Sequence, residues 1–308
     1  MTYAQRYYAK KRSKELGITL EDYLQKKVQP IVPCTQPEAV ISFDKVRTLD
    51  NIHINEGMLK VYKTGTIVDK MFSYEEGIPV GTNIMCTGDP GVGKTTVLLH
   101  TLSNLQANNP ELKCLFVCAE MSKIQMYKYK QRFPMFGNIE TIFTSDYLND
   151  NSKSVIEQLF NKGYDYILVD SIIEVLESVK EDANMSQGQA EKWFIDLCVK
   201  HNEGHNERNC YSTFLLIQQV TKAGLFVGSN KLKHITDAHM ELRRESERDG
   251  GGTYLVFSKN RNGQAGTRFS YQLGSNNIDY GTLKEEPAEQ YELEITNIDQ
   301  LEEIDNEG

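Results

Sequence analysis

Between residues 83 and 102 an apolar run, a glycine-rich turn and a second apolar run follow one another without a break: NIMCT, GDPGVGKT, TVLLHTL. A chain that buries the first run, turns sharply and starts a helix at Lys94 has few folds open to it. The turn, Gly88, Asp89, Pro90, Gly91, Val92, Gly93, Lys94 and Thr95, fits the pattern G-x-x-x-x-G-K-[ST] in full. Glycines let the backbone wrap a phosphate. A helix start directs its free amides and partial positive charge at the same point. In this pattern Lys94 neutralises the β- and γ-phosphates of ATP, the Thr95 hydroxyl ligates Mg²⁺, and Thr96 continues the cradle.

The flanking sequence predicts the fold class around that loop. Short β-rich runs at 83–87, 113–118, 140–143, 166–170 and 212–218 alternate with amphipathic segments at 94–106, 122–132, 152–161 and 186–200. Such alternation predicts an α/β, RecA-like P-loop core whose largely parallel sheet is covered by helices. Two further strands, at 252–258 and 267–273, have hairpin spacing and extend the sheet edge. Residues 3–28 predict two helical pieces broken at Gly17, with Thr19 capping the second. Gln29-Pro30-Ile31-Val32-Pro33 then reads as a linker, because proline breaks helix and ladder alike. The divisions expected are a helical segment and linker over 1–56, the ATPase core over 57–283, and an acidic, unstructured tail over 284–308. The polar composition after Tyr280 places the onset of that solvated region close by.

Two carboxylates fall where nucleotide chemistry needs them. YDYILVDS (164–171) is an apolar strand that ends in Asp170, which puts a carboxylate at the sheet's edge beside the Mg²⁺ position. KCLFVCAE (113–120) ends in Glu120, placed to orient the water that attacks the γ-phosphate. Each has a bland alternative, a turn aspartate for one and a helix-capping glutamate for the other.

Five ordered stretches, spanning about 200 residues, carry a resemblance. GIPVGTNIMCTGDPGVGKTTVLLHTL (77–102) resembles the start of the ATPase core of the bacterial RadA/Sms proteins, RecA-superfamily ring motors of DnaB-type helicase character. CAEMS (118–122) resembles the catalytic-glutamate segment in its DnaB form. SQGQAEKWFIDL (186–197) resembles the first DNA-binding loop with its following helix. QQVTKAGLFVGSNKLKHITDAHMEL (218–242) resembles the sensor and second-loop region, and KNRNG (259–263) the K-N-R-x-G signature. The resemblance implies that Gln219 links the γ-phosphate to the DNA loops, at a position where the family usually has histidine. It implies that Lys259 and Arg261 reach the γ-phosphate of a neighbouring subunit, the alternative being two solvated loop cations. It further implies a homo-oligomer, a hexameric ring or a filament, acting on single-stranded DNA in recombination, repair or replication. Family members usually carry a four-cysteine zinc module before the core and a Lon-like domain after it. This chain has no CxxC pair, and about 25 residues, ten of them acidic, follow the core.

Charge decides whether a nucleic-acid partner is plausible. The net charge of −9 over 308 residues is matched by residues 284–308 alone, where ten acids face one lysine. The body is therefore neutral, and DNA stays open as a partner. Lys222, Lys231, Lys233 and His234 sit in a glycine-containing polar stretch suited to tracking a phosphate backbone. Lys10, Lys11, Arg12 and Lys14 belong to a basic segment that either touches nucleic acid or forms the wet face of a helix docked through Tyr7, Tyr8 and Leu16. The acidic tail offers a handle to a protein partner or a competitor for the basic loop. Cys198, His201, His205 and Cys210 have spacing open to zinc, although the apolar run around Cys198 argues for core packing. No run is apolar enough to span a membrane, and the cysteine pattern suits a reduced, cytoplasmic protein. Two other readings of the same core are a filament-forming strand-exchange recombinase and a nucleotide-gated regulatory scaffold.

Overall fold

Four runs, in β3 (Asn83–Gly88), β4 (Cys114–Cys118), β6 (Tyr166–Asp170) and β7 (Thr213–Ile217), bury almost every residue on both faces. Only a sheet covered on both sides accommodates such runs. The computed structural model describes residues 3–15, 17–28, 46, 48–147, 151–219, 236–245 and 251–285. The linker at 29–33, Cys34, the basic stretch with Lys222, Lys231, Lys233 and His234, and the segment from Glu286 onward lie outside them.

The described residues fall into two units, Met1–His53 and Ile54–Gly308. The first contains α1 (Tyr3–Glu15) and α2 (Leu20–Val28). The Thr19 hydroxyl accepts from the Asp22 amide at 3.1 Å, the cap the sequence predicts.

The second unit opens with β1 (Val61–Tyr62), α3 (Asp69–Phe72) and β2 (Ile78–Pro79), β1 and β2 pairing antiparallel. After β3 come α4 (Lys94–Asn108), β4, α5 (Lys123–Arg132), β5 (Glu140–Phe143), α6 (Ser152–Asn161) and β6. Then follow α7 (Ile172–Asp182), α8 (Gln187–Asn202), β7, β8 (Ala238–Arg244), β9 (Thr253–Asn260), β10 (Thr267–Leu273) and β11 (Ile278–Glu285). The main sheet has the order β11-β10-β9-β8-β3-β7-β6-β4-β5. From β8 to β5 every pairing is parallel, and β9, β10 and β11 add antiparallel strands at one side.

Strand alternation divides the core into two layers. Ile84, Cys86, Phe116 and Leu168 pack with Leu98, Leu102 and Leu105 of α4, whereas Met85, Leu115, Val117, Ile167 and Val169 pack with Ile156, Leu176 and Phe194 of α6, α7 and α8.

In the main sheet and its covering helices, three elements depart from the sequence reading. Helix α7 was not anticipated, although Ile172, Val175, Leu176 and Val179 recur at i, i+3, i+4 and i+7 and are all buried. Strand β8 hides behind polar residues: His239, Glu241 and Arg243 look unsuited to an interior strand. They satisfy one another there, since Arg243 grips the Glu241 carboxylate at 2.6 and 2.9 Å and His239 bridges Thr87 and Ser258. Finally, order does not stop near Tyr280. Its ring meets Phe269 edge-on at 5.5 Å, its hydroxyl meets His100, and β11 continues pairing with β10 as far as Glu285.

Candidate nucleotide site

The glycine-rich turn joins β3 to α4 along the carboxyl edge of the parallel strands, where ligands of open α/β sheets bind. Its glycines are imposed by geometry. Gly88 has φ 148°, and a Cβ there would stand 2.2 Å from the Leu242 carbonyl oxygen of β8. Gly93 caps α4 at φ 102°, with Leu273 where a Cβ would go. Helix α4 begins at Lys94 with no side-chain cap, so its first-turn amides face the turn. The Lys94 ammonium donates to the carbonyls of Gly88 at 2.6 Å and Asp89 at 3.1 Å, which holds it over the loop.

The remaining groups meet because β6 lies between β4 and β7. Asp170 ends β6, level with Cys118 of β4 and Ile217 of β7. Both neighbours overhang it by two residues, so Glu120 and Gln219 meet across the top of β6. The Gln219 amide donates to Glu120 Oε1 at 2.5 Å, and the backbone amides of Ala119 and Glu120 donate to the Asp170 carbonyl. Below them the Thr95 hydroxyl donates to Asp170 Oδ2 at 2.5 Å. Burial pushes the Asp170 carboxyl up to about 6; the Thr95 hydrogen bond opposes the shift, and Glu120 nearby adds to it.

Asp170 Oδ1 is buried without a hydrogen-bond partner. An unpaired carboxylate oxygen in the interior is costly unless something completes it. With the Thr95 hydroxyl beside it, the donor set is all oxygen, the chemistry a hard cation such as Mg²⁺ takes. The residues present fit that ion.

The resulting cleft has a volume of about 410 Å³ and is lined by the loop, Glu120, Asp170 and Gln219, and also by Tyr129, Arg132 and Leu273. Sequence reading missed these last three. The Tyr129 hydroxyl hydrogen-bonds to the Thr96 hydroxyl. Arg132 lies over the Phe133 ring and donates to the Gly274 and Ser275 carbonyls at 2.6 and 2.8 Å. Only the placement of Tyr129 on the core side of amphipathic α5 could have marked that wall. Arg244, also missed, donates to the Gly91 carbonyl at 3.2 Å from the end of β8.

Lys259 and Arg261 are elsewhere. Strand β9 runs antiparallel to β8, and its end pairs with Ala238, level with Ile84 at the start of β3. That is the amino edge of the parallel strands. Four residues separate this level from Gly88, roughly 13 Å along the strand. There the Lys259 ammonium donates to the Thr236 carbonyl at 2.6 Å, and exposed Arg261 approaches Asp237 Oδ1 at 3.5 Å.

Nor do the four soft ligands converge. Cys198 and His201 are buried, with His201 edge-on to Phe160. His205 is exposed beside Glu203, and Cys210 is bonded to Asn206. Among the described residues no three His, Cys, Asp or Glu side chains are grouped to hold a metal. No helix among them is long and apolar enough to cross a membrane.

No family model matches the chain. It is 26% identical over 228 residues to the DNA repair protein RadA of Rickettsia typhi, covering 73% of this chain and 45% of that protein. It is 28% identical over 173 residues to the Campylobacter jejuni RadA protein, covering 56% and 36%, and 26% identical over 205 residues to that of Mycobacterium tuberculosis, covering 66% and 40%. The chain thus spans less than half the length of these relatives. Among solved structures, a KaiC-like protein of Pyrococcus horikoshii superposes with a TM-score of 0.53 at 16% identity, covering 73% of this chain and all of that one. The chain is a RecA-superfamily P-loop protein related to the RadA proteins.

Proposed function

We propose that this RecA-superfamily chain is an ATPase of DNA repair or recombination, and that single-stranded DNA stimulates its turnover. One observation carries the nucleotide chemistry: Thr95, Asp170, Glu120 and Gln219 form a hydrogen-bonded series along one edge of the cleft, beside Lys94. Lys94 and the first amides of α4 take the β- and γ-phosphates. Thr95 and Asp170 hold Mg²⁺, which when bound neutralises charge on the phosphate oxygens. The Glu120 carboxylate lines the same cleft and is the group that would orient a water for attack on the γ-phosphate. Gln219 reports to the segment that follows it whether that water and phosphate are present, because it donates to the same carboxylate.

The finer reading is a motor of DnaB-like character, a ring or filament in which Lys259 and Arg261 of one subunit complete the cleft of the next. Its support is the separation of these cations from their own subunit's loop, together with the exposure of Arg261. Lys222, Lys231, Lys233 and His234 are the DNA-tracking residues in this reading. The test is the steady-state ATPase rate with and without single-stranded DNA, for the natural chain and for Glu120→Gln. Hydrolysis that rises with DNA and is lost in the variant supports the motor. ATP binding that drives assembly, with hydrolysis indifferent to DNA, identifies a nucleotide-gated scaffold instead.

A further inference from the structure

Helix α5 begins three residues after Glu120, and its sequence, KIQMYKYKQR, holds four cations and no acid. Its inner side is accounted for: Met126 and Tyr129 pack on the core. Its outer side is not what solvent favours. Ile124 is 71% exposed and Tyr127 62% exposed, and with Lys128 and Gln131 they make an i, i+3, i+4, i+7 stripe. Of the cations, Lys123 pairs with Asp146 at 2.7 Å and Arg132 is held by the Gly274 and Ser275 carbonyls. Lys128 and Lys130 stand exposed on either side of the apolar pair.

A positively charged surface with two large apolar groups fits a partner that is acidic and apolar at once. Residues 286–308 have that composition: nine acids, no base, and Tyr291, Leu293, Ile295, Ile298, Leu301 and Ile304 set among the carboxylates. Position agrees with chemistry. The 274–277 turn that Arg132 grips leads into β11, whose eight residues end at Glu285, roughly 23 Å from that turn. The 23 residues from 286 to 308 can reach at most about 76 Å, far enough to return to α5.

We propose that the acidic segment 286–308 docks on the outer face of α5 in its own chain, seating apolar side chains on Ile124 and Tyr127 between Lys128 and Lys130. Docking does not depend on whether the cleft hydrolyses ATP.

The test is carbodiimide coupling of carboxylates to lysines in the full chain, mapped by peptide mass spectrometry. Equal amounts of normal and heavy-nitrogen protein are mixed beforehand. Couplings should join Lys128 and Lys130 to carboxylates of 286–308 within one isotope class, and should fade as salt rises toward about 1 M, where screening shortens to about 3 Å. Lys128→Glu with Lys130→Glu should abolish docking, read as release of residues 286–308 to endoproteinase Glu-C at least several-fold faster. Adding Glu302→Lys and Glu303→Lys should restore both coupling and protection. Coupling to other lysines, coupling between isotope classes, or none at all overturns the proposal. So does a Lys128→Glu, Lys130→Glu variant that binds oligonucleotide more weakly while Glu-C cleavage is unchanged, since α5 would then be a nucleic-acid surface.

Discussion

The two edges of the parallel sheet are built from the same strands and behave differently. At the amino edge, polar groups close on one another: the Asn83 amide donates to Asp237, its side chain to Asn202, and Asn202 in turn to the Ser212 carbonyl. At the carboxyl edge, Asp170 keeps one oxygen unpaired, Lys94 rests on its own loop, and Glu120 is held by a single glutamine. The amino edge is stapled by this network, although Asn83 Oδ1 and the His201 ring nitrogens stay unpaired within it. At the carboxyl edge the unpaired atom is a carboxylate oxygen beside Lys94 and the glycine-rich turn, and that edge is left able to exchange partners. The exception is exposed Arg261, a cation at the stapled edge whose contact with Asp237 is long and solvated. Surface pairs of that kind contribute little to stability. A cation held this loosely can serve a neighbour's cleft without undoing the packing of its own subunit.

The sharpest way to break the comparison is Arg261→Ala. A residue that only decorates the amino edge leaves turnover alone. One that stabilises departing charge in trans loses roughly 10³–10⁵ in kcat, with ATP affinity nearly unchanged. Steady-state hydrolysis and equilibrium nucleotide binding separate the two outcomes. Glu120→Gln should cost about 10²–10⁴ in rate with binding retained, and a near-normal rate would move the base elsewhere. Mixing these two inactive variants should return partial activity that depends on ratio and total concentration, because some interfaces then combine an intact Glu120 with an intact Arg261. If mixed assemblies form and stay inactive, the trans assignment fails.

Lys94→Ala should weaken MgATP binding by about 2–5 kcal/mol, the loss on truncating one partner of a closely held charge pair. Unchanged affinity in a titration would remove the phosphate-loop assignment itself. At the amino edge the prediction concerns stability alone. His201 is fully buried, neither ring nitrogen has a hydrogen-bond partner, and burial, with Lys200 and His205 adding to it, pushes its pKa down to about 4. The unfolded chain protonates it near 6.5, so stability is full above that pH and is lost as pH falls through 4. The loss should be on the order of 3 kcal/mol. Urea denaturation of His201→Leu at pH 7 and pH 4.5 should show a flatter dependence than the natural chain, with ATPase at pH 7 unaffected. Equal pH slopes would mean that another group drives acid sensitivity.

Local pattern was enough for the backbone of the glycine-rich turn, because G-x-x-x-x-G-K-T states where the left-handed angles and the helix start must fall. It was enough for the four central strands, since continuous apolar runs of that length have nowhere to go but a covered sheet. Position at a strand's end was likewise enough to single out Asp170 and Glu120. The sequence by itself determined which residues form the glycine-rich turn at the start of α4 and where the sheet's interior lies. Only the tertiary structure decided that β6 runs between β4 and β7, which is what brings Glu120 and Gln219, 99 residues apart, within 2.5 Å. It alone paired the charges that disguise β8, placed Tyr129, Arg132 and Leu273 on the cleft wall, and sent Lys259 and Arg261 to the far edge. The reason is physical: a turn's φ angles and a strand's burial are properties of neighbours in the chain. Strand order is set by how covering helices bury their apolar faces together, and no single stretch of sequence contains that sum.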